Sequence, residues 1–320
     1  MIRFTAGSVR VRVPATSANL GPGFDALGLA LGIYDVVTAR VVPSGIRVRV
    51  SGEGFGELPT DATHLVASSA VAAFDMLGGR PDGLDITCAN EIPQARGLGS
   101  SSAAIVAGIL LARGLVFSAD AAGAAGPAGT AGSAALDDAA VLRLATDIEG
   151  HPDNVAPCIY GGFTIAWRET GGARAVRLEP HPTIRPLLFV PAERGLTAEA
   201  RAALPVDVPH SDAAHSVGRA ALLVHAMTAD PSLLYEATED RIHQTYRAPA
   251  MPPTADLVAR LRGAGVAAVV SGAGPSVLAV TTESGPGVGI DGIGDTPGWR
   301  RLSPPCDVTG AVCEVDSILR

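Results

Sequence analysis

Residues 93–108 read PQARGLGSSSAAIVAG. Gly97 and Gly99 flank a leucine, three serines follow, and an apolar run of helical character follows the serines. Glycine has no Cβ, so the backbone at such a pair can come close to another molecule. Serine at a helix start can cap free N–H groups. The aligned peptide dipoles add partial positive charge at the same end. Together these features describe an anion site, and phosphate is its usual occupant. The same residues also suit an ordinary loop–helix junction, so the rest of the chain has to decide.

The 320 residues suffice for one large domain or two intimately packed ones. With 47% hydrophobic and 18% charged residues, the make-up is that of a globular chain rather than a disordered one. A net charge of −8 and the lack of any basic tract argue against a nucleic-acid partner. All 24 basic residues are arginine. The missing lysine excludes a P-loop lysine, the strand lysine of protein kinases and a Schiff-base lysine. Cys88, Cys158, Cys306 and Cys313 form neither a C-x-x-C pair nor a zinc spacing, and read as free thiols of a reducing compartment. The opening MIRFTAGSVRVRVP lacks the apolar core of a signal peptide. The most apolar helix, near 103–117, is too short to span a bilayer and contains Arg113. A soluble cytoplasmic protein with no membrane partner is expected.

Alternation marks a strand at 9–14, followed by a polar, glycine-bearing loop over 15–28. A long strand is expected over 29–42, bent at Gly32 and paired as a hairpin across Pro43-Ser44 with a strand at 45–51. Helical spacing covers 64–78 and stops at Gly78-Gly79, and a strand covers 83–90. The Ala/Gly-rich stretch 118–135 reads as a flexible linker. A helix resumes at 136–149, and strands at 161–168 and 173–179 flank a Gly171-Gly172 turn. Further on, strands are expected at 186–191, 266–270 and 276–282, with shorter ones near 299–303 and 311–316. Helices fall near 197–203, 211–228 and 254–263. Strands and helices mix without regular alternation, which predicts an α+β fold divided near 170–185 into an N-terminal unit, 1–170, and a C-terminal unit, 171–320.

Four polar or glycine-rich segments stand out: 15–28, 93–104, 149–154 and 271–276. In the first, Asn19 and Asp25 either stabilise the Gly21-Pro22-Gly23 turn or serve a ligand, Asp25 as the partner of a cation or ammonium group and Asn19 as a neutral hydrogen-bonding group. In EGHPDN, Glu149 ends a helix, against the dipole, so it is either solvated or compensated by a divalent metal. Asp153 and Asn154 are positioned to cap the next helical turn. SGAGPS, 271–276, is a tight hairpin or a backbone wall for a substrate or phosphate. Arg201, Arg241 and Arg247 offer forks for carboxylate or phosphate.

PQARGLGSSSAA resembles the P-x-x-x-G-L-G-S-S-x-A motif of the GHMP small-molecule kinases. VPATSANLGPGFDALGLAL, EGHPDNVAPCIYGGF, SGAGPSVLAV, DRIHQTYRAP and the closing GW…DVTGA are similar to segments of the homoserine kinase branch, so the likeness runs from Val11 to Val315. The resemblance implies a two-domain GHMP-kinase fold, the first domain like the second domain of ribosomal protein S5 and the second an α/β sandwich of ferredoxin type. It implies phosphorylation of L-homoserine by ATP with Mg²⁺, in threonine biosynthesis, and suggests a homodimer. By the same resemblance, Pro93, Gly97, Leu98, Gly99, Ser100, Ser101, Ser102 and Ala103 wrap the ATP phosphates, and His64 lies near the adenine. Ser101 and Glu149 would hold Mg²⁺. Asn19, Asp25, His151, Asn154, Arg201 and Arg247 would line the homoserine pocket, with Gly272 and Gly274 supplying backbone. Asp25 would meet the ammonium group, Arg201 and Arg247 the carboxylate, and Asn154 the reacting hydroxyl, making Asn154, Glu149 and Ser101 the catalytic set.

One departure stands out: the family commonly carries Asn-Leu-Val where this chain has His64-Leu65-Val66. The absent lysine counts against a mevalonate kinase, whose family pattern uses one. A zwitterionic acceptor needs both an acid and an arginine fork, whereas mevalonate has no ammonium group. A dehydrogenase is excluded because Gly97-Leu98-Gly99 lacks the third glycine of the dinucleotide fingerprint. A non-catalytic relative would have lost Glu149, Asp25 or Asn154, and all three are present.

Overall fold

The computed structural model describes residues 2–117, 136–195, 197–283 and 297–316. The linker expected over 118–135 lies outside the described residues.

The first half is built on β1 (Arg3–Phe4), β2 (Val9–Ala18), β3 (Leu27–Val41), β4 (Gly45–Gly52), α1 (Leu65–Met76), β5 (Gly83–Asn90), α2 (Ser100–Leu115), β6 (Val116–Phe117), α3 (Asp138–Glu149), α4 (Val155–Tyr160), β7 (Phe163–Glu169) and β8 (Gly172–Leu178). The rest comprises β9 (Ile184–Pro191), α5 (Thr197–Ala202), α6 (His210–Thr228), α7 (Leu234–Ala237), α8 (Gln244–Arg247), α9 (Pro252–Gly263), β10 (Ala267–Val270), β11 (Val277–Thr282), β12 (Trp299–Leu302) and β13 (Val312–Val315).

A seven-stranded sheet runs β13-β2-β3-β5-β4, with the β7–β8 hairpin joined to β3 through β7. The chain changes sheets between Leu178 and Ile184, and β13 returns to pair with β2. A four-stranded antiparallel sheet has the order β10-β11-β9-β12. Both of its faces are buried, and the alternation of β9 shows how. Leu187 and Phe189 pack with Leu257 and Leu261 of α9, while Leu188 and Val190 join the main core together with Leu223 and Met227 of α6.

The expected β3–β4 hairpin does not form. β5 lies between the two strands, antiparallel to β3 and parallel to β4. The parallel pair needs a crossover, and α1 supplies it. Burial explains the order. β5 hides Leu84, Ile86 and Cys88, whereas β4 fully buries only Val48. Asp85 of β5 also binds Arg40 of β3 at 3.0 Å and Arg49 of β4 at 2.7 Å, which ties the strand to both neighbours.

The expected loop over 15–28 is shorter than its polar composition suggests, because β2 continues to Ala18 and β3 begins at Leu27. Thr16 and Ser17 are fully buried yet hydrogen-bonded, so their polarity does not end the strand. The bend at Gly32 is present. Pro14 pairs with Tyr34 and Ala15 with Leu31, leaving Gly32 and Ile33 as a bulge packed on Pro305.

α2 is apolar nearly all round and therefore buried, packed between the sheet and α1 and α3. Gly108 permits this: a Cβ there would lie 2.3 Å from the Val66 carbonyl oxygen of α1. The deep seating of α2 fixes its N-terminus at the meeting point of β2, α4 and the β10–β11 hairpin.

Candidate active site

Gly99, not a serine, is the N-cap of α2. It adopts left-handed φ 70°, and no side chain caps the helix. The capping expected of the serines therefore fails, and among the described residues the amides of the first turn have no side-chain acceptor. The hydroxyls point elsewhere: Ser101 Oγ donates to Glu149 Oε1 at 2.6 Å and Ser102 Oγ at 2.9 Å. Glu149, at the C-terminus of α3, is thus compensated by two hydroxyls rather than left to solvent.

Two clamps hold the loop. Thr16 N donates to Leu98 O at 3.1 Å, and Ser271 Oγ donates to Gly97 O at 2.7 Å. Space there is minimal. A Cβ on Gly97 would sit 2.2 Å from Ser271 O, and one on Gly99 would sit 1.9 Å from Thr16 Oγ1. Thr16 Oγ1 in turn donates to Asn154 Oδ1 at 2.7 Å. Asn154 is the N-cap of α4 but makes no side-chain cap bond, so the capping expected of it also fails. Asp153 Oδ1 accepts from the Asn154 amide at 3.1 Å and from His151 Nδ1 at 2.5 Å. Burial works against protonation of His151, but the bond to Asp153 and the charges of Asp153 and Glu149 outweigh it and raise its pKa.

A cavity of about 400 Å³ opens over this junction. Asn19, Asp25, His64, Gly97, Gly99, Ser100, Ser101, Ala103, Glu149, His151, Asn154, Arg201, Arg247 and Gly272 all border it. Pro93, Leu98, Ser102 and Gly274 stand behind that wall. Leu98 and Ser102 are fully buried, and a Cβ on Gly274 would meet Met251 Sδ at 2.7 Å. Arg241 is elsewhere, more than half exposed and 3.6 Å from Asp212.

At one end of the cavity, Asn19 joins two loops. Its Nδ2 donates to Gly272 O at 2.8 Å and its Oδ1 accepts from the Asp25 amide at 3.0 Å. Asn19, Leu20 and Asp25 all adopt left-handed φ, a cost that clusters at functional sites. Asp25 and Arg201 form a two-pronged ion pair at 2.8 and 3.0 Å. Arg247 is only 2% exposed and has no carboxylate within ion-pair distance among the described residues. Its Nε donates to Ala200 O at 3.0 Å, its Nη1 lies 3.2 Å from His243 Nδ1, and its guanidinium sits over the Phe24 ring. Burial, then the charge of Arg201, lowers its pKa. His243 Nε2 lies 2.8 Å from Gly21 O and so donates there. The ring is therefore neutral and presents Nδ1 to Arg247 as an acceptor.

At the other end, His64 caps α1: its Nδ1 accepts from Val66 N at 3.2 Å. The proton then resides on Nε2, which is buried and without a partner among the described residues. Burial lowers the His64 pKa and keeps the ring neutral. Nearby Asp35 accepts from the amides of Glu91 and Ile92, yet burial raises its pKa to about 6.

Sequence patterning alone does not single out Thr16, Asp35 or His243. Thr16 is embedded in an apolar strand, and the buried partners of Asp35 are main-chain amides. Only the i, i+4 spacing of His243 and Arg247 on a helical segment signalled a shared face.

Comparison with known proteins gives the family of the chain. The family models described as GHMP kinases N terminal domain and GHMP kinases C terminal match residues 64–162 and 219–287. A homoserine kinase of Streptomyces coelicolor is 60% identical over 277 residues, covering 87% of this chain and 85% of the relative. A homoserine kinase of Clavibacter michiganensis is 48% identical over 97% of this chain and 95% of its own length. The crystal structure of a homoserine kinase from Cytophaga hutchinsonii superposes with a TM-score of 0.77 at 28% identity, covering 96% of this chain and 97% of the other. With both segments of the two-domain fold matched and such identity across most of its length, the chain belongs to the homoserine kinase family of GHMP kinases.

Proposed function

We infer that the chain transfers the γ-phosphoryl group of ATP to the side-chain hydroxyl of L-homoserine, giving ADP and O-phospho-L-homoserine, a step of threonine biosynthesis. One observation carries the reading: a single cavity joins an uncapped helix N-terminus to an acid and two arginines, Asp25, Arg201 and Arg247. The first suits a polyphosphate. The second suits a molecule bearing both an ammonium and a carboxylate group.

The residue roles follow from that division. The amides of Ser100 and Ser101 face the phosphates across the glycines that leave them room. His64 Nε2–H, otherwise unused, would donate to the nucleotide base. The oxygen of Asn154 is taken by Thr16, which leaves its NH₂ to hold the acceptor oxygen. Asp25 receives the ammonium group, Arg201 and Arg247 the carboxylate, and His151 backs the pocket on Asp153.

Among the described residues, no group of three His, Cys, Asp or Glu side chains is arranged to hold a metal ion. The donor set nevertheless suits Mg²⁺. Magnesium is commonly held by one or two carboxylates and the substrate phosphates, and Glu149 with the Ser101 hydroxyl offers hard oxygen donors beside the phosphate loop. Bound there, the ion would offset phosphate charge. Phosphoryl transfer needs mainly alignment and charge stabilisation, so a lysine-free site with no dedicated strong base is adequate. No described helix is long and apolar enough to cross a membrane. The homodimer that the family resemblance suggests is a matter for sedimentation velocity.

An acceptor panel tests the assignment. Purified protein with Mg²⁺-ATP should release ADP with L-homoserine, and far less with mevalonate or galactose. Equal turnover on all three would overturn it.

A further inference from the structure

The two groups assigned to opposite ends of homoserine are bonded to each other. Arg201 grips both oxygens of Asp25 at 2.8 and 3.0 Å, on the wall of the same cavity. The partners differ in freedom. Asp25 is pinned by its backbone, with φ 54° and its amide on Asn19 Oδ1. Arg247 is pinned by Ala200 O and His243. Among the described residues the Arg201 guanidinium has no hydrogen bond or ion pair other than those to Asp25, and it ends a long side chain, so it is the member that can swing.

We propose that the Asp25–Arg201 pair is a charge-matched placeholder for the acceptor, and that it selects zwitterions by ion-pair exchange. The proposal rests on the homoserine reading and deepens it. An ammonium group takes over Asp25 while the carboxylate takes Arg201 and reaches Arg247, so one ion pair is replaced by two. An acceptor with a single charge has no such route. It either leaves the pair intact and finds Asp25 occupied, or breaks the pair and strands one partner. The side chains of Arg201 and Asp25 are 38% and 36% exposed, so opening the pair is cheap enough to occur on binding. The site thereby rejects hydroxy acids and amino alcohols of the right length without any steric filter.

Freeing one partner should relax that rejection in a predictable direction. Asp25→Asn keeps the shape and tolerates left-handed φ, but releases Arg201. γ-Hydroxybutyrate, which is homoserine without its ammonium group, should then bind about two- to fivefold more tightly than to the native protein, the amount a half-exposed ion pair is worth. L-Homoserine should bind the same variant at least about tenfold more weakly. In the mirror variant, Arg201→Gln, propanolamine should gain instead, because Asp25 is released. Calorimetric titration of each probe into native and variant protein reads the change directly, and thermal melts verify folding. If each variant loses affinity for its matched half-substrate as well, or shows no gain, the pair is not a placeholder and the proposal is overturned. Failure of the homoserine reading would look different: the native protein would then produce no phosphohomoserine, whatever the variants bind.

Discussion

The two ends of the cavity use opposite materials. At the end proposed for phosphate the parts are main chain: helix amides, glycines without room for a methyl group, and hydroxyls turned onto one carboxylate. At the end proposed for the acceptor they are full charges on side chains drawn from three distant segments, Asp25, Arg201 and Arg247. A site made of backbone is sensitive to where atoms can be. A site made of charges is sensitive to which charges are present. The phosphate end should therefore fail through geometry and lose rate, whereas the acceptor end should fail through affinity and keep its rate.

Gly99→Ala is the harshest test of that contrast. The new methyl would fall 1.9 Å from Thr16 Oγ1 at a residue with φ 70°, so the loop or the Thr16–Asn154 bond has to move. Misplacement by about 1 Å near the reacting atoms can cost about a hundredfold in rate, and kcat in an ADP-coupled assay should fall by that order. A mere rise in the KM for ATP with kcat intact would break the comparison.

Arg247→Met tests the other end and should act on a different constant. It removes a charged fork while filling most of the buried volume. The KM for homoserine should rise about ten- to a hundredfold, the range for a hydrogen bond to a charged group, with kcat little changed. If calorimetry finds normal homoserine affinity in this variant, Arg247 does not bind the carboxylate. An equal fall in kcat would mean that the acceptor end also positions the reacting atoms.

The same contrast explains what could be read from the sequence. Main-chain chemistry is local, so GLGSSS, HPDN and SGAGPS announce themselves in contiguous letters, and the longer strands and helices fall where periodicity puts them, whereas the short β1, β6, α4, α7 and α8 give no periodic signal. Charge chemistry is long-range. Asp25 and Arg201 are 176 residues apart, and nothing local says that they bond to each other rather than only to a ligand. The edge position of β4 was hidden for the same reason, because its rank depends on how much β5 buries in comparison. His243 hydrogen-bonds Arg247 and looks like any helical histidine until its two ring partners are seen.

Asp35 is the exception that sharpens the contrast, because it places a carboxylate at the nucleotide end, buried and with no ion pair among the described residues. Its two amide bonds favour the charged form, but burial dominates and lifts its pKa from 3.8 to about 6. The sign follows from proton counting. Between the unfolded value of 3.8 and about 6, the folded chain holds more protons than the unfolded one. The group's contribution is thus most favourable below 3.8 and is lost as pH rises through about 6, leaving a charged, desolvated carboxylate at neutral pH. The rise from 3.8 to about 6 corresponds to a penalty on the order of 3 kcal/mol. Asp35→Asn keeps an oxygen for the Glu91 and Ile92 amides and removes the charge. Its Tm should exceed that of the native protein by a few degrees at pH 8, and the difference should shrink as pH falls below about 6 and close only below about 3.8. A variant less stable at pH 8 would mean that the charge itself is wanted there.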